Sequence, residues 1–274
     1  MGVDGDLRIR AFNEGAEFLL GFAGSEVAGR GLSELVAERF RASLREELAE
    51  LAEAGRARGV ASRRLRLFLV RRDGGERPID ATFSWMGGAG DGWLTAVFQD
   101  LGPEDRESAD GVGEGQLDPL TALADRRLFL ERAEQALQRL QQHGRQAAVL
   151  LVDLNRFRLI TNTLGQDGGD QLLSRAGQRL LSRLRPGDIV GRVGGDQFAV
   201  LLNDLASMDD IPALVMRLLG VFEQPFRVQG HELTVSVRVG ASVFPDDGGT
   251  SEALLRGADM ARSRAGMPAN NHWA

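Results

Sequence analysis

The segment from Arg192 to Phe198 constrains the fold of this chain most, because two glycines, Gly194 and Gly195, separate two apolar runs. Paired glycines between strand-like runs predict a β-hairpin, since tight turns favour residues that adopt a positive φ. The turn also carries Asp196, whose carboxylate is placed where a metal ion or a phosphate could approach the backbone. Taken alone, however, the segment is better explained as an ordinary surface turn.

Composition predicts a globular protein with room for two domains. The chain has 274 residues, of which 43% are hydrophobic and 26% charged, and each half is long enough to bury its own core. It has no cysteine, no secretory signal and no apolar run near the roughly 20 residues that cross a bilayer. We therefore expect a cytoplasmic protein without membrane contact. The net charge of -6 argues against a surface that coats nucleic acid.

Residues 1 to 101 have the pattern of a small α+β domain, with helical stretches between strand-like runs. The motifs AFNEGAEFLLGFAGSEVAGRGLSEL, RRDGGERPIDATFSWM and GWLTAVFQDL resemble the PAS family of sensor domains. The resemblance implies an antiparallel sheet with helices, and no haem or flavin ligand can be named in it. Only Met1 to Val3 remain for the strand that normally opens a PAS fold, so this first strand is expected to be missing or replaced.

Residues 102 to 117 are polar, acidic and rich in glycine, without a heptad pattern. This composition predicts a flexible linker rather than a stiff helical stalk. Residues 118 to 274 form the second expected domain. Helices alternate there with strand-like runs, which predicts one α/β or α+β domain built on a single sheet.

The second domain places two carboxylates at strand ends. Residues 147 to 154 form the continuous apolar run that is typical of a buried central strand, and Asp153 lies near its end. The hairpin contributes Asp196. On neighbouring strands, the two carboxylates and adjacent backbone carbonyls would form a hard oxygen site suited to Mg²⁺ with phosphate. For either aspartate alone, a solvated strand end is the simpler explanation.

The motifs of the second domain, taken in order, resemble the GGDEF family of diguanylate cyclases. They are DPLTALADRR, VDLNRFRLITNTLGQDGGDQLL, RVGGDQFAVLL, SVRVGASVFPDDG and ADMARSRAG. The resemblance implies a palm-like central sheet flanked by helices, so the whole chain is expected to be an α+β protein of two domains. It also implies a homodimer in which each domain holds one GTP and each 3′-hydroxyl attacks the partner's α-phosphate, giving cyclic di-GMP.

Six positions match functional residues of that family. The resemblance implies that three of these residues bind Mg²⁺ when nucleotide is present. It implies that the other three contact the phosphates and the guanine edge of the nucleotide. The implied metal ligands are Asp153, the carbonyl of Leu154 and Asp196, and the implied nucleotide contacts are Gly194, Gly195 and Asp170.

Other positions depart from the family pattern. Gln197 stands where the family has the glutamate that binds metal and activates the attacking hydroxyl, and an amide cannot take up a proton at neutral pH. Arg158 replaces a phosphate-facing lysine, as expected in a chain whose 33 basic residues are all arginine. The remaining departures are Thr161 for asparagine, Gln166 for histidine, Asn155 for aspartate, Gly266 for lysine and Asn270 for arginine. Together they predict a degenerate cyclase.

Arg185 and Asp188 form an Arg-x-x-Asp motif nine residues ahead of Gly194. The resemblance places the family's inhibitory product site there, with the arginine on guanine or phosphate and the aspartate accepting from guanine nitrogens. A turn in which Asp188 begins the next strand explains the same residues equally well. If the site is real, the domain senses cyclic di-GMP.

Three hypotheses about function remain open. The first is a bacterial PAS–GGDEF signalling protein whose degenerate cyclase domain acts by binding nucleotide, either GTP or cyclic di-GMP, or a protein partner. The second is an active diguanylate cyclase that tolerates Gln197, and the third is an interaction scaffold that binds no nucleotide. The terminal sequence PANNHWA resembles the stretch where many GGDEF domains continue into a phosphodiesterase EAL domain, so we expect a fragment or a shortened protein.

Overall fold

The computed structural model describes residues 1–58, 60–86, 92–101, 117–264 and 272–273. The chain divides into two compact units, Met1–Val112 and Gly113–Ala274. Both units combine helices with antiparallel strands, which confirms the predicted α+β class. Residues 102–116 of the predicted linker lie outside the described residues.

The first unit is built on a sheet of five described strands in the order β2-β1-β5-β4-β3, with antiparallel neighbours. One face of its long strands is apolar and packs against the helices, as the alternating burial of β3 shows. The strands are β1 (Gly2–Val3), β2 (Ile9–Ala11), β3 (Val60–Val70), β4 (Glu76–Met86) and β5 (Trp93–Asp100), and the helices are α1 (Glu14–Leu20), α2 (Gly24–Val27) and α3 (Glu38–Arg58).

The first strand of this unit is shortened rather than missing, which corrects the expectation from the sequence. β1 lies between β2 and β5 and pairs with both of them. Val3 is fully buried, and the amino group of Met1 donates to the carbonyl of Ala96 at 3.1 Å. Two residues are therefore enough to fill the interior position of the sheet.

The second unit has a sheet of five described strands in the order β12-β11-β6-β8-β7, flanked by helices. This arrangement confirms the predicted palm-like central sheet. The strands are β6 (Gln146–Leu154), β7 (Ile189–Arg192), β8 (Gln197–Leu205), β11 (Val237–Phe244) and β12 (His272–Trp273), with a separate ribbon of β9 (Phe226–Val228) and β10 (His231–Leu233). The helices are α4 (Arg126–His143), α5 (Phe157–Ser182), α6 (Ile211–Leu219) and α7 (Ser251–Arg264).

Strand β6 is the centre of this unit and is buried on both faces. Ala148, Leu150 and Val152 point to a core shared with α5 and α6, whereas Val149 and Leu151 point to a core shared with α4 and α7. Because side chains alternate along a strand, Asp153, two residues after Leu151, directs its side chain to the same α4/α7 face.

Helix α5 is longer than the sequence pattern indicated. The pattern predicts a helix from Gly169, but α5 begins at Phe157 and contains a kink at Gly165, where φ is 76° and ψ is 177°. Its two segments pack closely on each other. A Cβ at Gly169 would lie 2.4 Å from the Cγ2 of Thr161, so a larger residue there would force the segments apart.

Helix α7 lies in backbone contact with β11 at Gly240. A Cβ on Gly240 would meet the carbonyl oxygen of Ala258 at 1.9 Å and the backbone nitrogen of Arg262 at 2.3 Å. The absence of a side chain therefore lets the last helix approach the sheet.

We expect Gly240→Ala to lower the free energy of unfolding by about 3 kcal/mol, because overpacking against a rigid backbone displaces α7. Gly249→Ala is the matched control, since a Cβ there has no neighbour within 4 Å, and it should change stability by less than about 0.5 kcal/mol. Urea denaturation of both variants measures the difference. Equal stability of the two variants would contradict the close packing.

Candidate functional site

A row of three side chains crosses the central sheet at the end of β6. Asp153 on β6 lies directly opposite Gln197 on β8 and directly opposite Arg238 on β11. Residues directly opposite in antiparallel strands project from the same face with Cβ atoms about 5 Å apart. The predicted metal ligand and the amide that replaces the family glutamate are therefore neighbours, and a guanidinium group flanks the aspartate on the other side.

Two arginines bind the carboxylate of Asp153. The Nη2 of Arg238 donates to Asp153 Oδ2 at 2.9 Å, and the Nη1 of Arg262, from α7, donates to the same oxygen at 2.5 Å. Arg262 also donates to Oδ1 of Asp259, one turn earlier in α7, at 2.7 and 3.0 Å. The Asp153 side chain is only 9% exposed and that of Arg262 only 13%. We call Asp153, Arg238 and Arg262 the Asp153 cluster.

The environment of Asp153 acts on its pKa in two directions. Burial raises the pKa of the carboxyl above its usual range, and the nearby negative charge of Asp196 raises it further. The charges of Arg262 and Arg238 oppose this increase. The cluster therefore balances an unfavourably buried carboxylate with two cations.

The hairpin turn is held by a second arginine network. Arg192 donates to the carbonyl of Gly195 through Nε at 3.1 Å and Nη2 at 2.7 Å, and its Nη1 lies 3.1 Å from Oδ2 of Asp118. Asp118 also accepts from the backbone and the hydroxyl of Thr121. The backbone nitrogen of Leu154 donates to the carbonyl of Asp196 at 3.2 Å, which joins the turn to the end of β6.

The β7–β8 hairpin is confirmed, but the predicted reason for its glycines is wrong. Neither Gly194 nor Gly195 has a positive φ, because the turn is a wider loop closed by a bond from the backbone nitrogen of Val193 to the carbonyl of Gln197 at 3.0 Å. A Cβ on Gly194 would lie 2.9 Å from Oε1 of Gln197, whereas a Cβ on Gly195 would meet nothing within 4 Å. The first glycine provides space for Gln197, and the second leaves the backbone open.

The predicted nucleotide contacts on α5 do not share a sheet face with Asp153. Helix α5 packs on the opposite face. Asp170 accepts from Nε2 of Gln166 at 2.9 Å, and the hydroxyl of Thr161 donates to the carbonyl of Arg158 at 3.0 Å within the helix. The structure thus brings Asp153, Leu154, Asp196 and Gln197 to one edge of the sheet and leaves Arg158, Thr161 and Asp170 on the helix that follows β6.

Arg185 and Asp188 lie at the other end of the hairpin and stabilise it. Asp188 accepts from the backbone nitrogens of Arg185 and Asn203, both at 3.1 Å, and its side chain is 1% exposed. The guanidinium of Arg185 donates to the carbonyls of Asn203 and Asp204. This geometry is that of the turn that the sequence offered as the alternative explanation.

The sequence reasoning missed four residues that shape the site: Asp118, Arg192, Arg238 and Arg262. Asp118 and Arg192 belong to motifs that were recognised, but neither received a role. The position of Arg238 could have been recognised from the sequence, because an arginine within an otherwise apolar strand needs a partner for its buried charge. The predicted departures Gly266 and Asn270 lie outside the described residues.

The oxygen donors as arranged do not fit a divalent cation. Within the ranges that the structure describes, no three histidine, aspartate or glutamate side chains come together as a metal group. Oδ2 of Asp153 is already bound by two guanidinium groups, and Gln197 offers a neutral amide. The magnesium site therefore stays a prediction.

In the same described ranges, no helix has the length and apolar content of a membrane span.

Family models match both units of the chain. A model described as "Diguanylate cyclase, GGDEF domain" matches residues 115–272. A second model, described as "PAS fold", matches residues 1–101. The two resemblances seen in the sequence are thereby confirmed.

Curated relatives and solved structures match the second unit. The diguanylate cyclase TpbB of Pseudomonas aeruginosa is 36% identical over 156 residues, which cover 57% of this chain and 36% of TpbB. The cyclic di-GMP phosphodiesterase NbdA of the same species is 38% identical over 144 residues, 53% of this chain and 18% of NbdA. A crystal structure of the TpbB GGDEF domain has a TM-score of 0.54 and 35% identity, covering 56% of this chain and 98% of that one. The match thus spans about a third or less of these two curated relatives.

The effect of removing Asp153 on stability distinguishes the Asp153 cluster from a cation site that lacks its metal. In a cation site without its metal, removing one of two neighbouring carboxylates relieves repulsion. We expect Asp153→Ala instead to lower the free energy of unfolding by about 3 kcal/mol, because it leaves the two arginines without their buried partner. Asp196→Ala is the control and should change stability by less than about 0.5 kcal/mol. Urea denaturation in EDTA measures both, and a stabilised Asp153→Ala would contradict the cluster.

Proposed function

Because the chain belongs to the diguanylate cyclase GGDEF domain family through residues 115–272, we propose that it is a cyclic di-GMP signalling protein with a degenerate cyclase domain. In this proposal the PAS unit is the sensor. The GGDEF domain acts by binding a guanine nucleotide, or by contacting a second copy or another protein, and forms cyclic di-GMP slowly or not at all.

The observation that carries this proposal is the row of Arg238, Asp153 and Gln197 across the sheet. The family's reaction requires a group that activates the attacking 3′-hydroxyl. Gln197 cannot accept a proton at neutral pH, and the carboxylate next to it is bound by two arginines. Loss of a general base costs a factor of about 10²–10⁴ in rate, so turnover at this site is expected to be weak.

Nucleotide binding has support that does not depend on turnover. The turn keeps an open approach to its backbone at Gly195, where a phosphate could contact main-chain groups. Asp170 keeps its carboxylate at the surface of α5, where its described partner is the amide of Gln166. A protein partner is supported by a relative, since the diguanylate cyclase SiaD of Pseudomonas aeruginosa, 30% identical, was solved in complex with its activator SiaC.

The inhibitory product site at Arg185 and Asp188 has less support. Asp188 would have to give up two backbone nitrogens before it could accept from guanine. The nucleotide site that we propose is therefore at the GGDQF turn. Cyclic di-GMP binding at Arg185 has less support.

The full chain should form cyclic di-GMP from GTP and Mg²⁺ at least about 100-fold more slowly than TpbB assayed under the same conditions. Chromatography of the nucleotides measures the product, and calorimetry with GTP measures binding without turnover. A rate within tenfold of TpbB would establish the active cyclase instead. An absence of heat with both GTP and cyclic di-GMP would favour the scaffold.

Calorimetry with cyclic di-GMP also tests the second site. If binding occurs at the GGDQF turn alone, Arg185→Ala should leave the dissociation constant within about twofold, because the Arg185 side chain then serves the structure by contacting Asp188 and the carbonyls of Asn203 and Asp204. Loss of binding in a variant that keeps its circular dichroism spectrum would place cyclic di-GMP at Arg185.

A further inference from the structure

The two arginines of the Asp153 cluster together carry the charge that a divalent cation would bring. Two guanidinium groups contact one oxygen of Asp153, and Asp196 is a second carboxylate near it. A divalent cation bound between two carboxylates offsets their negative charge. Here the two guanidinium groups already hold one oxygen of Asp153, Arg262 is shared with Asp259, and Gln197 adds no negative charge.

We propose that Arg238 and Arg262 take the place of a divalent cation beside Asp153, so that this domain excludes the metal and binds nucleotide phosphates through guanidinium charge alone. The exclusion of metal stands on the cluster itself. The binding of phosphates rests on the proposed function, because it requires that a nucleotide binds beside the Asp153 cluster.

The two arginines have different parts in this arrangement. Arg262 is held on both sides, by Asp153 and by Asp259 on its own helix, and its side chain is 13% exposed. It is the fixed counter-ion of the carboxylate. A metal ion could reach Oδ2 of Asp153 only by displacing it, and like charge on Arg238 would oppose the ion's approach.

Arg238 retains capacity for a ligand. Its side chain is 24% exposed, and its Nε is buried without a hydrogen-bond partner among the described residues. A buried donor without a partner is unfavourable, so a ligand oxygen that reaches Nε after the Arg238 side chain shifts gains by satisfying it. The planar fork of a guanidinium group suits phosphate and carboxylate oxygens, and the nucleotide of the proposed function supplies phosphates as the ligand.

Metal exclusion is tested with Mn²⁺, whose electron paramagnetic resonance signal in water is lost on binding. The full 274-residue chain without nucleotide should leave the Mn²⁺ signal unchanged. The variant Arg238→Gln/Arg262→Gln keeps hydrogen-bond donors beside Asp153 but removes both charges, and it should gain Mn²⁺ binding. Arg145→Gln/Arg256→Gln is the matched control, because it makes the same change of charge at two exposed ion pairs.

The results with Mn²⁺ either support or overturn the exclusion. Binding to the double cluster variant alone supports it. Binding to the unmodified protein overturns it, and so does a failure of the folded cluster variant to bind, because the arginines would then not be what excludes the metal. Binding to the control variant would show a general effect of net charge and would also overturn it.

Phosphate binding is tested by calorimetry with GTP in EDTA and in Mg²⁺. The dissociation constants should agree within about threefold, and Arg238→Gln should weaken binding in EDTA at least tenfold while Arg145→Gln leaves it unchanged. Binding that requires Mg²⁺ would overturn the phosphate role of Arg238. Absence of GTP binding in every condition would contradict nucleotide binding in the proposed function as well, whereas the Mn²⁺ experiment would still decide metal exclusion.

Discussion

A buried carboxylate at the end of the central strand must have its charge balanced, and the arrangement around Asp153 follows from that requirement. Burying an unpaired charge costs several kcal/mol, a large part of the whole stability of a typical domain. Two sources of compensation are open to such a site, a bound cation or basic side chains. This chain uses Arg238 from the neighbouring strand and Arg262 from the last helix.

The same requirement links distant parts of the second unit. Arg262 reaches Asp153 because α7 lies against β11, and Gly240 permits that approach by having no side chain. Arg238 reaches it because the register of β6 and β11 places the two residues directly opposite. Gln197, opposite Asp153 on the other side, adds no negative charge. A neutral amide and two arginines are mutually consistent, because each reduces the need for a cation.

Much of the fold was predictable from local pattern. The apolar run before Asp153 identified the central strand because a strand buried on both faces has a nearly continuous apolar sequence. The hairpin was correctly placed, although its turn does not use the positive φ that paired glycines suggest. The Arg185–Asp188 motif could not be interpreted from the sequence, since a ligand site and a structural turn use the same residue types. Its bonds to the backbone at Asn203 and Asp204 depend on the pairing of β7 with β8, which the motif itself does not encode.

The two families, the order of the elements and the departure at Gln197 follow from the sequence alone, because each depends on residues that are close together in the chain. The surroundings of Asp153 follow instead from long-range packing. Arg238 and Arg262 are 85 and 109 residues away from it, and their contact depends on strand register and on the packing of α7. Neither can be read from local composition, because a change of register by one residue turns a side chain to the opposite face of the sheet.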